Sequence, residues 1–83
     1  MPDEPEFDHD KIDEAALALL YFTMFNDGFG ARAWKGLAWE ITDRLFGRDW
    51  IFDPRGKAKS VALTEEGERL AGEFARKLFG RQN

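Results

Sequence analysis

Apolar positions cluster most densely over Ala15–Phe25, a run broken only by Thr23. At 3.6 residues per turn, Ile12, Ala16, Leu19, Leu20 and Thr23 share one side of a helical wheel. Leu17, Tyr21 and Met24 mark a second side, and Phe22 and Phe25 a third. Asp10 has N-cap chemistry, Asp13 and Glu14 meet the positive end of the helix dipole, and Gly28 is the stop. The pattern predicts a first helix over 10–26 that is apolar all round and therefore buried.

Asp27–Lys35 follows as a glycine-bearing loop, with Trp34 expected to fold back onto the core. Leu37, Ile41 and Leu45 recur every four residues and predict a second helix from Gly36 or Leu37 to Phe46. Glu40, Asp43 and Arg44 lie outward on it, and Gly47 stands where a left-handed C-terminal residue belongs. Trp50–Asp53 reads as a short strand, Asp53-Pro54-Arg55-Gly56 as a turn, and Ser60–Leu63 as the returning strand. Thr64 caps a third helix with Glu65 and Glu66 in its first turn. Leu70, Ala71, Phe74, Ala75 and Leu78 form its stripe, Arg76 and Lys77 its last turn, and Gly80 its end. The order helix, helix, hairpin, helix is an α+β arrangement.

The run LFGRDWIFDPRGKAKSVALTEEGERL resembles the end of a winged-helix domain. In such domains a glycine-ended helix leads to a short apolar strand, a basic wing and a returning strand. Leu-Thr-x-x-Gly then opens the last helix, here Leu63 to Gly67. From about Phe7 the whole chain also resembles a small family of uncharacterised bacterial proteins, through KIDEA, AWKG and DPxGKAKSVxLTEEG. That resemblance implies a compact winged-helix-like fold and carries no known activity. A DNA-binding winged helix has a further helix bracing its recognition helix. Here that interval is Asp27–Lys35, with Gly28 and Gly30 inside it, so the middle helix is shortened or missing.

Composition narrows the function. Eighty-three residues make one domain, placed at 10–80 behind an acidic, flexible arm at 1–9. Residues 1–14 hold seven acids and one base, whereas Gly28 onward holds eleven bases and eight acids. The net charge of −4 thus divides into an acidic head and a mildly basic body, well short of an obligate nucleic-acid footprint. With no cysteine, disulfides and thiolate metal sites are excluded. The acidic start is unlike a secretory signal, and the apolar run is too short to span a bilayer, so a cytoplasmic location is expected.

No residue set points to catalysis, and neither a cofactor nor a small-molecule substrate is implied. Ser60 is the only serine and has no histidine near it in the body; His9 is the only histidine and sits in the arm. Gly28-x-Gly30-x-x-Ala33 matches a dinucleotide fingerprint in letters, but lacks the strand before it and the helix after it. Glu40/Asp43 and Glu65/Glu66 suit a solvated face and a helix start better than an acid–base pair.

Two interaction readings remain. Eight Phe, three Trp and one Tyr are more ring surface than three short helices and a hairpin hide. Uncovered rings gather at protein interfaces. Phe22, Phe25, Trp39, Phe46 and Phe79 are the expected interface, used for a homodimer or a protein partner. The alternative is nucleic-acid binding through the wing, as in a transcriptional regulator, with Arg44, Arg48, Arg55, Lys57 and Lys59 as phosphate contacts and Arg32 and Lys35 adding charge.

Overall fold

The computed structural model describes residues 6–34, 36–56 and 58–81. Helix α1 spans His9–Tyr21, strands β1 and β2 span Phe25–Asn26 and Ala31–Trp34, and α2 spans Trp39–Gly47. Strand β3 spans Ser60–Ala62 and α3 spans Glu65–Phe79. The chain is therefore a small α+β protein with three helices and a three-stranded antiparallel sheet in the order β1-β2-β3.

Helix α1 starts and stops earlier than its apolar run suggests. Its N-cap is Asp8, whose carboxylate accepts from the backbone N–H groups of Asp10 and Lys11. After Tyr21 the amides of Phe22 and Thr23 bond three residues back, and the Thr23 hydroxyl donates to the Leu20 carbonyl at 3.1 Å. These tight bonds satisfy the last carbonyls and release the chain into β1.

The expected loop at 27–35 is instead a β-hairpin turn with its second strand. Asn26 and Asp27 each accept, through Oδ1, an amide two residues on, both at 2.8 Å. Gly28 and Gly30 supply φ of 94° and 152°, which residues with a side chain rarely adopt. The return strand alternates: Ala31 and Ala33 face the core, Arg32 and Trp34 face out. Trp34 is thus exposed and does not fold onto the core.

Helix α2 ends in a Schellman arrangement. The Trp50 amide reaches the Leu45 carbonyl at 3.1 Å and the Asp49 amide reaches Phe46 at 3.0 Å. Asp49, not Gly47, takes the left-handed conformation, at φ 65°. The strand expected over Trp50–Asp53 contracts to one bridge, Ile51 to Leu63, with the Phe52 amide donating to the Ala62 carbonyl.

The start of α3 explains the Leu-Thr-x-x-Gly spacing. Thr64 Oγ1 accepts from the Gly67 amide at 2.9 Å and donates to the Asp49 carbonyl at 2.7 Å. The Thr64 amide donates to the Trp50 carbonyl, and a Cβ on Gly67 would lie 1.8 Å from that same oxygen. Only glycine lets α3 begin this close to the preceding chain.

Helix α1 packs mainly on α3 and less on α2, while β2 and β3 cover the same core. The interior is small in grain. Of twelve buried apolar residues among those described, six are alanine: Ala16, Ala18, Ala31, Ala33, Ala71 and Ala75. Leu17, Leu45 and Ile51 are the largest apolar side chains that are fully buried. No described helix is long and apolar enough to cross a membrane.

Candidate functional site

Alanines inside bring the elements close together, and the large side chains are displaced outward. None of the twelve aromatic residues is fully buried; Trp50 and Phe74 pack partly against the core, and the other ten are exposed. An inventory this one-sided departs from ordinary small domains, where such rings supply most of the core area.

Five large residues form one continuous apolar surface. Phe22 and Phe79 meet with ring centres 6.1 Å apart, joining the ends of α1 and α3. Leu19 stands one turn before Phe22 on α1. It flanks, with Trp34, an open hollow of about 250 Å³ that Thr23 and Leu37 also line. Trp34 then touches Phe25 across β1 and β2 at 5.9 Å. Exposure along the series runs from 41% at Phe25 to 62% at Phe22.

Three of the five residues expected at an interface, Phe22, Phe25 and Phe79, lie in this surface. Trp39 and Phe46 are exposed too but sit on α2, where Trp39 lines a different hollow with Asp43, Arg55 and Gly56. Leu19 and Trp34 complete the surface and are not among the expected residues. The alternation of Ala31, Arg32, Ala33 and Trp34 is the signal for Trp34: a period of two, with alanine inward. Phe29 stands at the hairpin tip, 99% exposed, and Phe52 is exposed beside the sheet.

The basic residues have other employment. Asp13 is fully buried, and both its oxygens accept from Arg44 Nε, at 2.8 and 3.0 Å. Arg48 Nε donates to the same carboxylate at 2.9 Å, while its Nη2 reaches Asp10 at 2.5 Å. These bonds, led by that to Asp10, raise the Arg48 pKa above its ordinary value. The guanidinium also lies 5.2 Å from the centre of the Trp50 ring. Arg44 and Arg48 therefore clamp α2 to α1, with 27% and 32% of their side chains left in water. Arg55 pairs with Asp43 at 3.3 Å on the surface, Lys59 is exposed, and Lys57 lies outside the described residues, as does Lys35. Arg32 donates to the hydroxyl and the carbonyl of Ser60, both at 2.9 Å.

The remaining candidates are placed as follows. Gly28 and Gly30 turn a hairpin and open no helix, which removes the dinucleotide reading. His9 is the first residue of α1. Among the described residues, no three of His, Cys, Asp and Glu are grouped to hold a metal ion.

Fold and surface together define a small α+β protein with an alanine-lined interior and an aromatic exterior. Residues 8–81 match the model of a family described as a domain of unknown function, DUF6429, and the chain belongs to that family. It is also 51% identical over 76 residues to the uncharacterized protein y4hR of the bacterium Sinorhizobium fredii, covering 92% of this chain and 99% of that protein. The expectation of a small bacterial family of unknown function is met. No solved structure matches the chain.

Proposed function

We propose that the chain is a non-enzymatic protein-interaction module of the cytoplasm, docking through the Leu19/Phe22/Phe25/Trp34/Phe79 surface. The observation that carries this reading is the continuity of that surface across four elements, α1, β1, β2 and α3, with every member about half exposed. A contiguous apolar patch of several hundred Å² matches the largest found on a typical monomer, and such patches are often functional. The frame is best read as a reduced winged helix. Helix α2, the Ile51 bridge, the loop before β3, β3 and the Thr64–Gly67 start of α3 come in winged-helix order. The β1–β2 hairpin stands where the bracing helix would be.

The nucleic-acid alternative loses ground on the same residues. Arg44 and Arg48 are engaged by Asp13 and Arg55 by Asp43, so three of the five expected cations already have a carboxylate partner.

A photo-reactive phenylalanine analogue placed at position 22 or 34 in living bacteria tests the docking reading. Discrete protein adducts are expected from both positions and none from the exposed position of Glu68 on α3. No adducts from 22 and 34, or equal labelling from 68, refutes it.

A further inference from the structure

The docking reading leaves open what covers the surface; resting on it, we infer that the occupant is a second copy of this chain, related by a twofold axis. Three observations lead there. The first is the shortage of bulk inside. A chain of 83 residues that buries six alanines among twelve apolar core positions has little interior area with which to hold itself folded. Its rings contribute fully only when something covers them, and the cover must be present whenever the chain is. A second copy meets that condition without any other gene product.

The second observation is area. Five side chains, each about half exposed, offer on the order of 100 Å² apiece. That is roughly 500 Å² per copy before any rim is counted, against about 800 Å² per partner in a standard interface. Tyr21, in edge contact with Phe22, is exposed next to it and extends the patch toward that size.

The third is charge. A twofold contact sets a surface against itself, so any charge in it meets its own kind. The five members carry none. The ionic group at its rim is Arg76, which lines a hollow with Phe22 and Phe79, while Lys77 is paired with Glu14 at 3.2 Å. An uncharged patch is self-complementary, and it favours no partner of particular sign.

Sedimentation equilibrium of the full chain over a wide dilution series tests this. The expected mass is twice 9.6 kDa. Phe22→Asp and Trp34→Asp are expected to weaken the dimer roughly 30-fold or more. Phe46→Asp, on α2 and outside the seam, is expected to leave it intact. Circular dichroism checks that each variant is folded, and Phe22→Ala serves if the aspartates unfold the chain. A 9.6 kDa species at every concentration overturns the proposal. So does a dimer indifferent to positions 22 and 34. A monomer that still gives adducts of unrelated mass in cells overturns self-association while the docking reading stands.

Discussion

Replacing Gly67 by alanine is the sharpest perturbation available in this chain. The added Cβ would sit 1.8 Å from the Trp50 carbonyl oxygen, a backbone atom that no rotamer change can move aside. Ordinary contact needs at least about 3 Å, so α3 and the Trp50 backbone must separate by more than 1 Å. That retreat strains the Thr64 amide bond to the same oxygen, worth about 1 kcal/mol. It also loosens Ile51 against Leu63, both buried, where imperfect packing costs about 1–3 kcal/mol. Against this, alanine favours the helix by about 1 kcal/mol over glycine. The balance is a loss of about 1–3 kcal/mol, or roughly 4–24 °C in Tm for a domain of this size. Urea unfolding followed by tryptophan fluorescence reads it directly. Gly72→Ala is the internal comparison: its Cβ meets only side chains, at 3.4 Å, so it is expected to be neutral or mildly stabilising. Equal effects of the two substitutions would refute the close-approach explanation.

Four further outcomes are expected. Asp13→Ala leaves two guanidinium groups without their shared carboxylate and lowers stability by about 2–4 kcal/mol, moderated because both arginines retain some contact with water; urea titration checks it. Asp10→Ala, at a carboxylate 76% exposed, costs less than about 1 kcal/mol in the same assay. Asp49→Val places a β-branched residue at φ 65° and costs about 1–2 kcal/mol by thermal unfolding, whereas Asp49→Asn is tolerated. Phe29→Ser changes stability by less than about 0.5 kcal/mol, since the ring contacts nothing that folding buries; a larger loss would show that the tip packs somewhere.

What the sequence discloses depends on how local the cause is. Helix α3 is legible because its cap, its acidic first turn and its basic last turn all lie within fifteen residues of one another or just beside them. The end of α1 is not, because Phe22, Met24 and Phe25 continue the apolar wheel while pairing with β2 takes Phe25 into a strand. The hairpin signal was present in Asn26-Asp27-Gly28 and in the alternation that follows, but two glycines also suit a flexible loop. The surplus of ring surface is visible in composition alone; which rings adjoin is not, since Phe22 meets Phe79 only through the crossing of α1 and α3. Asp13 reads as a first-turn carboxylate serving the dipole. Its burial follows from Arg44 and Arg48, 31 and 35 residues away, which no local pattern links to it.

An interior lined with methyl groups inverts the usual map of vulnerable positions. In a core of leucines and phenylalanines, truncation opens holes, and holes are what most harmful substitutions create. Where Ala16, Ala18, Ala71 and Ala75 are already nearly as small as a side chain can be, little remains to cut away. Growth is the hazard: one isopropyl group at Ala71 has no void to enter and must wedge its neighbours apart. Damage in this protein should therefore come from carbon gained at the centre, and change of behaviour from carbon lost at the rind.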